Sequence, residues 1–269
     1  MEISRSNIFE IVNMNNARPD KDYGQNFLIE PSVSSKIVDL LEVNKNEAVL
    51  EIGPGLGSLT HYLSEQSENL SVCDIDIRMI NFLGEVYGRK INYIYNDIRK
   101  VDVSNFDKII GNLPYNITTE LVTYLLLNAK NVKKMVLMCQ LEAFNRFYDE
   151  KGENYGPTSV LIHLLGESKK EFVVKAGSFY PVPKCSSVVF TFKKKLKASE
   201  EEILGTYKLS KSLFINRRKT IYNNLKNYLN DSLKAKMILE TLKISELDRP
   251  ENIHYLDYLK MYRLIKERS

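Results

Sequence analysis

The chain has no tryptophan, only three cysteines and only three histidines among 269 residues. Each scarcity removes a class of function. Cys73, Cys139 and Cys185 are odd in number and have neither CxxC nor metal-ligand spacing, which excludes a disulfide scaffold and a zinc ribbon. His61, His163 and His254 are far apart among apolar or helical neighbours and read as packing residues, so no metal is assigned. No apolar run approaches the roughly 20 residues that cross a bilayer. The opening Met1-Glu-Ile-Ser-Arg-Ser lacks the basic-then-apolar order of a signal peptide. A cytoplasmic protein with no membrane partner is expected.

Acid is scarce toward the C-terminus. From Tyr180 onward there are 10 Asp/Glu against 19 Lys/Arg, whereas residues 1–179 carry 24 against 19. A cationic excess confined to one part of a chain suits an anionic partner, and phosphate contacts supply most nucleic-acid affinity. Arg217-Arg218-Lys219 is the candidate RNA-binding cluster, because Ile221, Leu225 and Leu229 follow at helical spacing and leave the basic turn at the helix start. Lys193-Lys194-Lys195 follows a strand pattern and reads as a polar linker.

What is present begins with a buried-strand pattern running into a glycine turn, Val49-Leu-Glu-Ile-Gly-Pro-Gly-Leu-Gly-Ser-Leu-Thr60. Gly53 and Gly55 let backbone approach a ligand closely. The dinucleotide fingerprint GxGxxG puts a third glycine at position 58, which here is Ser58, while Gly57 comes one residue early. That favours S-adenosylmethionine over NAD. A second strand pattern, Leu70-Ser-Val-Cys-Asp-Ile-Asp, ends in acid. A carboxylate there binds ribose hydroxyls in doubly wound folds; Asp74 is the candidate and Asp76 its rival. A third, Ile91-Asn-Tyr-Ile-Tyr, ends at Asn96-Asp97, where the Asp97 carboxylate can accept from a cofactor's adenine amine.

The most specific element is Asn112-Leu113-Pro114-Tyr115, after the strand-like Asp107-Lys-Ile-Ile. An exocyclic adenine amine is a poor nucleophile because its lone pair is delocalised into the ring. A site that accepts both N–H groups, through the Asn112 side-chain oxygen and a backbone carbonyl beside Pro114, draws that nitrogen toward tetrahedral geometry. The Tyr115 ring can stack on the base. The same four residues also suit an ordinary turn after a strand.

The organisation follows from periodicity. Strands near 47–52, 70–74, 91–95, 107–111 and 133–139 alternate with helices, the pattern of a doubly wound α/β sheet. Glu171-Phe-Val-Val and Ser187-Val-Val-Phe-Thr-Phe read as a closing antiparallel pair around Pro181-Val-Pro183. The expected fold is therefore α/β, a doubly wound Rossmann-like domain over 1–195, with 1–19 as a flexible or weakly helical arm; its strand-end motifs make it a candidate S-adenosylmethionine-dependent methyltransferase domain. A small all-helical domain for RNA or ribosome binding is expected over 196–269.

Five segments in order resemble the ribosomal RNA adenine dimethyltransferases, and among them the small-subunit enzymes. They are Tyr23-Gly-Gln-Asn-Phe-Leu, Glu51-Ile-Gly-Pro-Gly-Leu-Gly, Gly111-Asn-Leu-Pro-Tyr-Asn-Ile-Thr-Thr, Phe179-Tyr-Pro-Val-Pro-Lys-Cys-Ser-Ser-Val-Val and Asn216-Arg-Arg-Lys-Thr-Ile-Tyr-Asn-Asn-Leu. The match runs from about residue 18 to Arg249-Pro-Glu-Asn-Ile. The resemblance implies S-adenosylmethionine as cofactor, held by Asn26, Leu28, Gly53, Asp74, Asp97 and Asn112. It sets Asn112 and Tyr115 at the target base, within a catalytic group of Asn112, Leu113, Pro114, Tyr115 and Phe179, with Phe179 on the base's opposite face. It implies dimethylation of N6 on two adjacent adenosines near the 3′ end of small-subunit ribosomal RNA, by a monomer acting on the assembling 30S subunit. The chain departs from the pattern at Asp74, where the family commonly has Glu, and at Cys185, where Val is usual.

Three alternatives stand beside this reading. A large-subunit dimethyltransferase conferring macrolide resistance shares the cofactor motifs, but Leu113 and the Asn216-Arg-Arg-Lys-Thr segment favour the small-subunit type. A non-catalytic RNA-binding assembly factor is disfavoured by the intact Asn-Leu-Pro-Tyr. A DNA adenine methyltransferase is disfavoured by Leu113 and by the C-terminal half.

Overall fold

A computed structural model describes residues 1–14, 17–20, 23–114 and 117–267. The chain divides into two compact units, Met1–Ala143 with Lys169–Lys193, and Phe144–Ser168 with Lys194–Ser269.

The first unit begins with α1 (Ile8–Met14), a two-residue strand β1 (Phe27–Leu28) and α2 (Pro31–Asp39). Strand and helix then alternate: β2 (Val49–Ile52), α3 (Thr60–Gln66), β3 (Leu70–Asp74), α4 (Ile77–Tyr87), β4 (Asn92–Tyr95), β5 (Lys108–Asn112), α5 (Thr118–Asn128) and β6 (Lys134–Gln140). After α6 (Leu141–Tyr148) and α7 (Pro157–Leu165) come β7 (Gly166–Val174), β8 (Phe179–Tyr180) and β9 (Ser187–Lys194). Seven strands form one sheet in the order β4-β3-β2-β5-β6-β9-β7, while β1 and β8 pair separately. β2 to β6 run parallel to their neighbours, and β9 returns antiparallel to β6.

Why these residues take these places follows from burial. Every residue of β2 and β3 is buried, as expected of central parallel strands covered on both faces, whereas edge strand β4 has no buried residue. α4 turns Met79, Ile80, Phe82 and Leu83 onto the sheet and is capped by Asp76, whose Oδ1 accepts from the Arg78 N–H at 3.0 Å. At Gly111, opposite Ile52 in the ladder, an added Cβ would lie 2.7 Å from the Ile52 carbonyl oxygen, so only glycine fits where β2 and β5 approach.

The N-terminal segment differs from a free arm. Ile8, Ile11 and Val12 lie at the i, i+3, i+4 spacing of a helical stripe and are buried with Ile3 and Ala17 in the cluster that contains Phe27, Leu28 and Ile37. Burying such side chains stabilises the docked helix by about 1.5–3 kcal/mol each, enough to order so short an element.

The second unit is mainly helical: α7, α8 (Glu200–Phe214), α9 (Ile221–Leu229), α10 (Ser232–Leu242) and α11 (Tyr255–Glu267). α7 packs on α8 and α11. A single cut at residue 195 leaves α7 with the first domain, but its apolar residues Val160, Leu161, Leu164 and Leu165 are buried and the helix belongs to this unit. α8 opens with a capping box, Ser199 and Glu202 each accepting from the other's N–H. Among the described residues no helix is long and apolar enough to cross a membrane.

Candidate active site

From β2 the chain crosses to β3 on one side, and β5 later takes the place on the other side. The order in which strands are added across the sheet therefore reverses between β2 and β5, and ligands of open α/β sheets bind outside the carboxyl ends at such a point. A cleft of about 990 Å³, including its mouth, opens there, lined by Gln25–Leu28, Glu51–Gly55, Cys73–Ile75, Asn96–Arg99 and Asn112–Pro114. Gly53 and Gly55 take φ of +64° and +53°, a left-handed conformation that leaves the backbone of the turn bare to a ligand.

Among the described residues three carboxylates border the cleft. Asp74, at the end of β3, accepts from the Asp76 N–H at 2.9 Å and the Gly55 N–H at 3.4 Å, and burial raises its pKa to about 6. Its rival Asp76 is absent from the lining. Both Asp76 oxygens hold the Arg78 guanidinium, at 2.9 and 2.7 Å, and Oδ2 also accepts from Gln25 Nε2. Asp97 caps a 3₁₀ turn (Ile98–Lys100) and is gripped by the Arg99 side chain, whose hydrogen bonds hold its pKa below the ordinary carboxylate value.

Glu51 carries no role in the sequence reading, yet it is 1% exposed and lines the cleft. Burial raises its pKa to about 8, the Thr60 hydroxyl, donating at 2.6 Å, opposes the shift, and neighbouring Asp74 adds to it. Its signal was an acid inside the otherwise apolar Val-Leu-Glu-Ile strand.

Asn112 ends β5 with its side chain at the cleft. Nδ2 donates to the main-chain carbonyl of Asn26 at 3.1 Å, while Oδ1 is buried without a hydrogen-bond partner among the described residues. A buried acceptor left unpaired costs about 1–3 kcal/mol, so this oxygen is poised for a ligand N–H. The turn beyond is fixed: the Leu113 N–H donates to the Met138 carbonyl at 2.9 Å, and the Pro114 carbonyl accepts from Thr118 Oγ1 at 2.9 Å.

The fold thus brings Asn26, Leu28, Gly53, Gly55, Asp74, Asp97, Asn112, Leu113 and Pro114 to one cleft. Tyr115 lies outside the described residues. Phe179 does not line the cleft; it pairs with Leu28, is 1% exposed and belongs to the core, because β8 turns this side chain inward. In the second unit Arg217, Arg218 and Lys219 precede α9 but differ in engagement. Arg217 Nη2 donates to the carbonyls of Gly152 and Glu153 at 2.9 and 2.5 Å, its Nε stands 3.5 Å from Glu251, and its guanidinium lies 5.9 Å from the centre of the Phe214 ring. Those contacts make it a structural tie. Arg218 and Lys219 are exposed.

A glycine turn at a switch point, a buried acid at the end of the next strand and an Asn-Leu-Pro turn with an open acceptor form a cleft suited to a nucleotide-bearing ligand. Residues 14–267 match the ribosomal RNA adenine dimethylase family, and the chain belongs to it. It is 38% identical over 246 residues to the ribosomal RNA small subunit methyltransferase A of Malacoplasma penetrans, covering 88% of this chain and 89% of that protein. A dimethyladenosine transferase structure from Plasmodium falciparum superposes with a TM-score of 0.75 at 25% identity, covering 90% of this chain and 98% of that one. The 23S rRNA methyltransferase ErmE shares the fold, with a TM-score of 0.70 at 20% identity over 90% of this chain and all of that one.

Proposed function

We propose that this chain transfers methyl groups from S-adenosylmethionine to N6 of two adjacent adenosines in a loop near the 3′ end of 16S ribosomal RNA. It does so as a monomer on the assembling 30S subunit in the cytoplasm. The observation that carries the reading is the unpaired, buried Asn112 Oδ1 at the end of a cleft whose glycine turn and acids suit the cofactor. Family membership and the similarity to small-subunit methyltransferase A support it.

The residues fit the cofactor. The bare Gly53–Gly55 turn receives its amino-acid end, Asp74 its ribose hydroxyls and Asp97 its adenine amine, with Asn26 and Leu28 closing one wall. Asp74 is favoured over Asp76 because the latter's oxygens are committed to Arg78 and Gln25. When bound, S-adenosylmethionine supplies an electrophilic methyl group.

The chain's task is to prepare the amine. Asn112 Oδ1 accepts one N–H of the target adenine, and a main-chain carbonyl beside Pro114 accepts the other. Together they localise the nitrogen lone pair and aim it into the cleft. The amine becomes strongly acidic only after methylation, so its proton passes to solvent and no side chain serves as general base. Tyr115 stacks on the unstacked base, whose extrusion costs a few kcal/mol and is least in a loop. Arg218 and Lys219 contact RNA phosphate.

Labelled methyl transfer to Asn112→Ala protein tests the reading. Turnover falls by at least about 10²-fold if the amide prepares the amine, and an unchanged rate removes that role.

A further inference from the structure

Arg99 has been given no role toward a ligand so far, yet it lines the cleft beside Asp97. It makes three contacts with the Asp97 carboxylate: Nε to Oδ1 at 3.0 Å, Nε to Oδ2 at 3.1 Å and Nη2 to Oδ2 at 2.5 Å. The Arg99 main-chain N–H adds a fourth, to Oδ1 at 3.0 Å. Its remaining arm, Nη1, donates to Glu120 Oε1 at 2.6 Å, in the first turn of α5. One guanidinium therefore spans from the acid at the end of β4 to the helix that follows the Asn-Leu-Pro turn.

An ionised carboxylate offers about four lone-pair sites and donates nothing. The main-chain N–H, the shared Nε–H and one Nη2–H fill three, leaving room for a single further donor. A planar fork held by two acceptors at opposite ends has little freedom to rotate, so the carboxylate is fixed in one plane with its vacant lone pair defined. Such a group accepts an amine and repels a carbonyl oxygen at the same position. Sites built to bond a particular polar group discriminate strongly against an analogue that lacks it.

We propose that Arg99 is a positioning residue that makes Asp97 selective for the 6-amino group of the cofactor's adenine, with Glu120 holding the guanidinium in place. The proposal rests on the reading of this cleft as the S-adenosylmethionine site. It is an effect exerted through Asp97, so it predicts a change in base selectivity and in cofactor binding.

The test is calorimetric binding of S-adenosylhomocysteine and S-inosylhomocysteine, which differ by an amine or an oxygen at purine position 6. The unaltered chain binds the amine form more tightly. Arg99→Ala weakens S-adenosylhomocysteine about tenfold, a loss of one charge-assisted constraint, and leaves S-inosylhomocysteine nearly unchanged, so the ratio contracts. Arg99→Lys restores part of the ratio, and in an Asp97→Asn background Arg99→Ala has little further effect. Equal weakening of both ligands by Arg99→Ala, or its full effect persisting in the Asp97→Asn background, would overturn the proposal. Failure of the unaltered chain to bind S-adenosylhomocysteine would instead defeat the cofactor reading beneath it. Thermal melts of each variant separate these outcomes from misfolding.

Discussion

Asn112 is oriented by Asn26: a single hydrogen bond from Nδ2 to the Asn26 carbonyl, at 3.1 Å across 86 residues of sequence, sets which end of the amide faces the cleft. One amide N–H is engaged, and the acceptor is left bare among the described residues. Asn26 and Asn112, distant in sequence, are therefore tied at one wall of the cleft.

That bond makes Asn112→Asp informative beside Asn112→Ala. A carboxylate keeps an acceptor for the amine but sets oxygen against the Asn26 carbonyl, and both variants are expected to lose about 10² to 10³ in kcat. Cofactor affinity, measured by calorimetry, changes far less than kcat. A loss confined to cofactor affinity would assign Asn112 to binding alone.

Gly111→Ala is expected to destabilise the first unit by about 1–3 kcal/mol, since the new methyl meets backbone rather than a side chain that can move aside. Urea denaturation reads this as a lower midpoint at unchanged slope. An unchanged midpoint would mean that β2 and β5 separate freely.

Glu51 gives a pH prediction. Its folded pKa, about 8, lies above the usual carboxylate value of 4.5, so between those limits the folded chain binds more protons than the unfolded one and stability falls as pH rises. Asp74, raised to about 6 from 3.8, adds a slope of the same sign over its lower window. Melting temperature of the ligand-free chain should decline from pH 5 to pH 8, and Glu51→Gln should flatten that decline. A rising profile in this window, or one insensitive to Glu51→Gln, contradicts the assignment.

The basic cluster should separate into two kinds of residue. Arg217→Ala is expected to cost about 1–2 kcal/mol of stability, because carbonyl partners at Gly152 and Glu153 lose a charged donor that is partly exposed. Arg218→Glu with Lys219→Glu should leave the melting temperature in place while weakening RNA binding and flattening its salt dependence. Equal salt slopes before and after would make these two lysine and arginine side chains a solvated face.

Much of this was legible in the sequence for a physical reason: strand ends are punctuated. Glycine after β2, acid after β3 and β4, and Asn-Leu-Pro after β5 are local signals, and a doubly wound topology gathers all such ends at one edge. What escaped depended on distant partners. Nothing near Arg217 in sequence announces that carbonyls some 65 residues earlier claim its guanidinium. Phe179 and Tyr180 are adjacent aromatics, and only the pairing of β8 with β1 decides which one is turned into the core. Ile8, Ile11 and Val12 are too short a stripe to declare a docked helix before the surface that receives them is known. α7 is separated from α8 and α11 by intervening strands, so its membership in the helical unit is a tertiary fact.

The central claim is tested most directly by incubating the protein with labelled S-adenosylmethionine and small ribosomal subunits from cells lacking this modification, followed by nucleoside analysis of the RNA. The expected result is N6,N6-dimethyladenosine in 16S RNA of the undermethylated subunit, with none in mature subunits or in large-subunit RNA. Label in 23S RNA, or binding to the small subunit without any label, would contradict it.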